Sequence, residues 1–469
     1  MGLWVVPGCP LEGGRGWRIW LSREGAAEFT PGPIEVTNQA RQPQEFTTGW
    51  TLLAPLRGLD RRIGVATITL ASPRPGEPYR LRFSEPAPEL RLRTLPAGLK
   101  EPVCFLFNSC FYRPTDPDGR YSAGLEALPS DWKPAFKLLI GDQLYCDWPP
   151  DTDTLNVIAG RAHEVYGHRY ATYWGDEAYR RALQSAPNYF LSEDHEFWND
   201  FPETSLRIMR SWAPYRETFR RAAEDYYRAF QACNNEQEKR WWSFTVGPVS
   251  FFGADTRSER ETCESADSAI MSKAQWGELE AWGAGLRGPG ILSLGQPLLK
   301  PPGEKGGLTI SNFTRQYDRL WKVLERAARG QGADGKPHDI LILGGDIHTS
   351  RYCEATCDGL TIREFISSPV SKICPDRTTP EEPPDRIEVG EGTGRRTWTV
   401  QPIGDPTLDS TVGLVRMAEG LGGKVVMELA LWRLRPYPRD WIGRMRRCLG
   451  LGAPQGEFQF IFSHTVELR

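Results

Sequence analysis

Four short stretches of this chain carry residues that hold metal ions and move protons. They are Asn108-Ser109-Cys110, Gly141-Asp142-Gln143-Leu144-Tyr145-Cys146-Asp147, Glu193-Asp194-His195-Glu196 with Asn199 and Asp200 just beyond, and Gly345-Asp346-Ile347-His348. Carboxylates and amide oxygens (Asp142, Asp194, Asn199, Asp346) are hard donors, the imidazole of His348 is borderline, and Cys110 offers a soft thiolate. A set rich in carboxylate, with one or two imidazoles and no dense thiolate cluster, suits two first-row metals, or iron with calcium, better than structural zinc. Two such ions about 3.5–4 Å apart share a bridging carboxylate and a bridging hydroxide, which serves in-line displacement at phosphorus. Asp142 is the candidate bridge, because it ends a central strand and has ligands on both sides.

Each stretch follows an apolar run: 103–107, 136–140, 189–191 and 340–343. Such runs read as buried strands of a parallel sheet. Gly344 and Gly345 let the backbone turn sharply after the last one. Open α/β sheets bind ligands at the carboxyl edge of their strands. Taken singly, each residue has a plain reading. A Gly-Asp pair is a turn, a lone His a satisfied polar group, Cys110 a small buried hydrophobe, and 193–196 a solvated charge run. Together, at successive strand ends, they point to one site.

The 469 residues are too many for one core, so two or three domains are expected. Residues 1–98 read as a small all-β, sandwich-like domain, with short runs at 51–53, 64–70 and 79–83 and a Pro-rich boundary over 84–98. From residue 99 to 469 strands alternate with helices, which predicts an α/β catalytic domain. A helical insertion is expected near 150–185, rich in Tyr and Arg, either a lid or a helical pair that packs its aromatics. Further helices are expected over 207–233, 274–286 and 312–329, and a hairpin over 241–256 around Gly247-Pro248. Strands are expected at 351–356, 361–367, 411–416, 424–432 and 457–465, with loops at 301–307 and 375–394.

Composition narrows the partners. Hydrophobic content is 39%, charged content 25% and the formal net charge −3, so nothing general attracts nucleic acid or an anionic membrane. No stretch is apolar enough to span a bilayer, and no export signal is visible, so a cytoplasmic protein is expected. The ten cysteines form no C-x-x-C pair; free thiols are expected, with Cys353 and Cys357 the one pair close enough in sequence for a disulfide. No protein partner is evident.

The motifs resemble those of the PhoD-like metallophosphatases of the calcineurin-like metallophosphoesterase superfamily. The four stretches above, with Asp255-Thr256-Arg257-Ser258-Glu259-Arg260 between the third and fourth, occur in the family's order over about 100–370. The resemblance implies a four-layer α/β/β/α sandwich preceded by the β domain. It implies two metal ions, iron plus calcium favoured and manganese or zinc as alternatives. Cys110 takes the place of the usual first aspartate, Tyr145 joins the metal, Asp142 bridges, Asp194 or Asn199 serves the second ion, and Asp346 and His348 complete the set. The implied activity is hydrolysis of a small phosphate monoester or diester by a metal-bridging hydroxide. Diesters of lipid or polymer headgroups, or a non-catalytic binding protein on the same fold, are the alternatives. His195, beside Asp194, suits protonation of the leaving oxygen, or else orientation of a ligand. Arg257 suits phosphate oxygens through its planar fork, against a salt bridge within its own acidic run. Lys372, after the Ser367-Ser368-Pro369 turn, is a further candidate for substrate binding. The family's third motif usually begins Asp-Asp, and this chain has Glu193 there, so that first acid is expected to be dispensable.

Overall fold

The computed structural model describes residues 2–25, 29–85, 87–148, 154–303, 309–371, 379–390, 392–434 and 458–469. The N-terminal part holds seven strands: β1 (Trp4–Pro10), β2 (Gly16–Glu24), β3 (Ile34–Asn38), β4 (Phe46–Leu52), β5 (Arg61–Leu70), β6 (Pro78–Phe83) and β7 (Leu90–Arg93). They form a four-stranded sheet, β1-β2-β5-β4, and a three-stranded one, β3-β6-β7. Alternation places Trp17, Ile19 and Leu21 of β2 between the two sheets, where Trp17 meets Tyr79 edge-on at 5.5 Å. The opposite face is buried as well. Val6, Trp20, Ile63 and Val65 join the core of the following domain.

That domain is built on β8 (Val103–Asn108), β9 (Lys137–Ile140), β10 (Asn188–Leu191), β11 (Trp242–Val246), β12 (Val249–Ala254), β13 (Gly290–Leu294), β14 (Ile340–Gly344), β15 (Arg351–Cys357), β16 (Leu360–Ile366), β17 (Arg386–Val389), β18 (Arg396–Pro402), β19 (Thr411–Glu419), β20 (Val425–Leu434) and β21 (Phe458–Leu468). One sheet has the order β10-β9-β8-β19-β20-β21, the other β11-β12-β13-β14-β16-β15-β18-β17. In the first, β8, β9 and β10 are parallel; in the second, β12, β13, β14 and β16 are. The helices are α1 (Arg120–Ala127), α2 (Thr154–Ile158), α3 (Ala162–Gly175), α4 (Glu177–Gln184), α5 (Arg216–Phe230), α6 (Lys273–Ala284) and α7 (Thr314–Ala328).

Three apolar cores separate four layers. The middle one joins the sheets face to face through Phe105, Phe107, Leu138, Phe244, Phe251, Leu341 and Phe365. A second packs α1, α3, α4 and α5 on the first sheet, and a third packs α6 and α7 on the second. The α/β/β/α sandwich with a preceding β-sandwich is therefore the fold. The aromatics of the 150–185 segment pack rather than cover the site: Tyr170 of α3 stacks on Tyr226 of α5 at 5.5 Å and meets Phe230 at 4.8 Å.

Some elements differ from the sequence expectation. The helix expected over 207–233 starts only at Arg216, because Pro214 disfavours the helical conformation at the residue before it. The 375–394 loop contains an edge strand, β17, whose Ile387 and Val389 point into the third core; its Pro, Glu and Gly neighbours hid a four-residue alternation. Most of the 301–307 loop lies outside the described residues, as do parts of 375–394 and the first residue of the last expected strand. Cys353 and Cys357 are free, as are the other described cysteines.

Phe136 is the knot of the inter-sheet core. It is fully buried, stacks on Phe105 at 5.3 Å, and meets Phe244 and Phe251 edge-on at 5.3 and 5.7 Å. Phe136→Ala is expected to destabilise the protein by about 3–5 kcal/mol in denaturant titration. A loss under about 1 kcal/mol would show that the sheets hold together without this contact.

Candidate metal centre

The carboxyl ends of the parallel strands in both sheets converge. Cys110 follows β8, Asp142 follows β9, Asp194 follows β10, Asp346 and His348 follow β14, and Ser368 follows β16. Four of these residues turn left-handed: φ is 62° at Cys110, 52° at Asp142, 67° at Asp346 and 52° at His348. Such backbone costs on the order of 1–3 kcal/mol per residue, and persists where surrounding contacts fix it. Here the Cys110 N–H donates to the Gly141 carbonyl at 3.3 Å and the Phe111 N–H to the Asp142 carbonyl at 2.8 Å, tying the first two turns together. The Asp346 N–H donates to Ser109 Oγ at 3.1 Å. Two glycines permit the close approach. A Cβ on Gly345 would fall 2.4 Å from Ser109 Oγ, and one on Gly141, at φ 98°, would fall 2.5 Å from Glu193 Cβ.

The side chains meet around Asp142, which is fully buried. Its Oδ2 is 3.3 Å from Cys110 Sγ and 3.4 Å from the Tyr145 hydroxyl, and its Oδ1 accepts from the His195 N–H at 3.2 Å. The Tyr145 hydroxyl is also 3.2 Å from His348 Nε2. Donor atoms of Asp142, Asp194 and His195 lie within 4.8 Å of one another, and so do those of Glu193, Asp194 and Asp346. The two groups share Asp194. Asp194 Oδ2 accepts from the Asp200 N–H at 2.6 Å, while its buried Oδ1 and the buried Oε1 of Glu193 have no hydrogen-bond partner.

The surroundings of this cluster were less legible in sequence. Asp147 accepts from His195 Nδ1 at 2.7 Å and from the Asn199 N–H at 2.7 Å. Asn199 thus enters through its backbone. Glu196 accepts from the N–H groups of Asp142, Gln143 and Glu193. Ser368 Oγ donates to Cys110 Sγ at 3.2 Å and accepts from the His348 N–H at 3.1 Å. Gln296 Nε2 donates to Asp346 Oδ2 at 3.0 Å. The signal for Glu196 and Asp147 was present as acids inside the motifs. Gln296 carried none, because it follows β13, a strand the sequence did not announce.

One expectation is corrected. Arg257 does form a salt bridge, but across motifs: Nε and Nη2 reach Glu193 Oε2 at 2.6 and 2.5 Å, and Nη1 donates to the Phe201 carbonyl at 2.8 Å. The guanidinium is buried and its fork is used inside the protein, so it is not an open phosphate clamp. The first acid of the third motif, Glu193, is the partner of Arg257 and stands in the middle of the cluster. Lys372 lies outside the described residues.

The electrostatics follow from burying like charges. Burial, then the neighbouring Cys110, pushes Asp142 well above the usual carboxylate range. Burial pushes Glu193 up to about 8 although Arg257 opposes it, and pushes the Cys110 thiol up to about 12. Burial would lower His195, but Asp147, Asp194 and Asp142 hold it well above the ordinary imidazole value. Asp346 goes down despite its burial, because Arg257, Lys300 and the Gln296 hydrogen bond favour its charged form. Orphaned carboxylate oxygens, a thiol and a phenol around one bridge-like carboxylate fit two cations with oxygen, nitrogen and sulfur donors.

Residues 105–284 match the PhoD-like phosphatase family. That segment contains the turns of Cys110, Asp142 and Asp194 and the Arg257 run; Asp346 and His348 lie beyond it. A solved structure of PhoD is similar, with TM-score 0.63 and 15% identity over 99% of this chain and 91% of that one. So is that of the purple acid phosphatase PPD1 from yellow lupin (Lupinus luteus) seeds, with TM-score 0.54 and 11% identity over 98% of this chain and 74% of that one. At these identities the structural likeness is one of fold. No curated protein matches the chain. The family matched over that segment is one of phosphatases.

Groups whose pKa is raised hold protons that a cation must displace. Asp142, Glu193 and Cys110 are such groups, so metal uptake is expected to release protons and to tighten as pH rises from about 6 to 9. Calorimetry in buffers of different ionisation enthalpy measures the release. Uptake with no proton release and no pH dependence would contradict this account of the cluster.

Proposed function

We propose that this protein is a metal-dependent phosphoesterase acting on phosphate monoesters, diesters or both, with iron plus calcium as the favoured pair of ions. The observation that carries the reading is the pair of ligand groups sharing Asp194, one of which contains the buried Asp142. In this reading Cys110, Asp142, Tyr145, Asp346 and His348, with Asp194 or Asn199, would hold the two ions. The bound ions would supply Lewis acidity, polarising the phosphoryl group and lowering the pKa of the attacking water. Cys110 and Tyr145 are both anionic donors once deprotonated, which favours a trivalent ion.

The remaining task falls to the chain itself. Asp147 holds His195 by Nδ1, which leaves Nε2 as the atom for proton transfer, and the Asp147 carboxylate favours the protonated ring. A protonated imidazole at that place suits donation to a departing alkoxide. Small soluble esters in the cytoplasm are the proposed substrates. Among the described residues no helix is long and apolar enough to cross a membrane. One observation favours a second reading, diesters of lipid or polymer headgroups. Trp148, beside Asp147, and Leu206 and Trp212, shortly after Asp200, are exposed large apolar residues.

Asp142→Asn is expected to abolish turnover and lower bound metal; normal activity with normal metal content would sink the site assignment. A panel of soluble monoesters, soluble diesters and vesicle-borne headgroup diesters separates the two readings. His195→Ala is expected to cost about 10²–10⁴-fold on alkyl phosphate esters and far less on p-nitrophenyl esters, whose leaving group departs unaided. Equal loss on both would assign His195 to positioning, and loss of metal would make it a ligand.

A further inference from the structure

Glu196 is a fully buried acid that the proposed chemistry does not use. Its carboxylate is engaged on both oxygens. Oε2 accepts from the Asp142 N–H at 3.0 Å and the Glu193 N–H at 2.9 Å. Oε1 accepts from the Gln143 N–H at 2.8 Å and from Gln231 Nε2 at 3.2 Å. Two of these donors lie in the turn after β9, which carries Asp142. The third backbone donor lies in the turn after β10, two residues before His195 and one before Asp194. One side chain therefore fastens together the two turns that carry the central carboxylates. A charged acceptor holding several backbone N–H groups is a strong and directional tie.

The far side of this tie leads out of the catalytic domain. Gln231 sits in the turn after α5, and that turn is held by the N-terminal sheet. Trp20 Nε1 donates to the Ala229 carbonyl at 2.9 Å, and Arg18 donates through Nε and Nη2 to the Cys233 carbonyl at 3.1 and 2.9 Å. In the same turn Asn235 pairs with both backbone groups of Phe190 in β10, at 3.0 and 2.9 Å. The N-terminal domain thus braces the segment that supports Glu196.

Resting on the metal-dependent reading above, we propose that Glu196 is a positioning residue. It fixes Asp142 relative to Asp194 so that both carboxylates are set for cations before these arrive, and Gln231, braced by Trp20 and Arg18, holds Glu196 in place. Outer partners of metal ligands contribute about 10–100-fold to metal affinity by orienting them. The left-handed backbone at Asp142 persists where surrounding contacts fix it, and the Glu196 bond to its N–H is one such contact.

The test uses the full-length chain with Glu196→Gln, which keeps shape and removes charge, and Gln231→Leu, which removes only the outer donor. Equilibrium dialysis against Mn²⁺ is expected to show about 10–100-fold weaker uptake in Glu196→Gln and a smaller loss in Gln231→Leu. In the metal-free protein, amide exchange at Asp142 and Gln143 is expected to speed up about tenfold or more in Glu196→Gln, as for loss of a charge-assisted hydrogen bond. The thermal midpoint of the metal-free variant is expected to fall in either case, because an amide cannot accept on both sides as the carboxylate does. A merely structural residue would lower the midpoint and leave the Mn²⁺ affinity of the folded protein unchanged. That result, or unchanged exchange at Asp142 and Gln143, overturns the proposal. The exchange measurement needs no metal, so it judges Glu196 even where wild-type protein takes up no Mn²⁺ and the phosphoesterase reading itself fails.

Discussion

Burying like charges at one point is the constraint on which the rest of this structure depends. Asp142, Asp147, Glu193, Asp194 and Glu196 are buried within one junction, and Asp346 is half-buried beside them. An isolated buried carboxylate is expensive, and several together repel. The protein answers with three kinds of counter-charge. Backbone N–H groups point at Asp142, Glu193, Asp194 and Glu196. Arg257 and His195 sit among the acids as cations. Third, Asp194 and Glu193 each keep one oxygen without a donor, and a bound cation would neutralise that charge. Breaking one such tie leaves an uncompensated charge, which costs more than the tie contributes when intact.

The fold can be understood as the frame this junction needs. A single parallel sheet offers its carboxyl edge to one cleft. Two sheets packed face to face bring two such edges together, with β8, β9 and β10 on one side and β13, β14 and β16 on the other. The contacts across the junction run between the sheets: Ser109 to Asp346, Ser368 to Cys110, and Arg257 to Glu193. The aromatic core between the sheets fixes their spacing, so sub-ångström errors in side-chain placement do not accumulate. The N-terminal sheet contributes from outside, through Trp20 and Arg18, to the turn behind Glu196.

How much of this could be read beforehand depended on whether the signal was local. Strand, turn and donor residue are adjacent in sequence at Asp142, Asp194 and Asp346, so periodicity and turn chemistry exposed them. The α/β class followed from strand and helix alternation, and the layer order from the motif resemblance alone. What stayed hidden were relations between distant segments. Arg257 shows its own acidic run in sequence, yet its partner is Glu193, 64 residues away. Gln296 reaches Asp346 across 50 residues. The left-handed backbone of Cys110 has no signature at all, because this residue type does not favour it and the tertiary contacts impose it.

Glu193 shows how one departure from a motif reorganises its neighbours. Against an aspartate it adds one methylene, and the structure uses that length. The carboxylate accepts from the Asp194 N–H at 3.0 Å and pairs with Arg257 through the same oxygen. Its stem lies against Gly141 and its other oxygen against Gly295, where added Cβ atoms would stand 2.5 and 2.7 Å away. A shorter side chain withdraws from Arg257 and leaves a buried guanidinium whose other bonds are to backbone carbonyl. The glutamate, the two glycines and the arginine therefore pack as one interlocked unit. The carboxylate of Glu193 seats Arg257, and the charge of Arg257 in turn favours the ionised form of Asp346 against its burial.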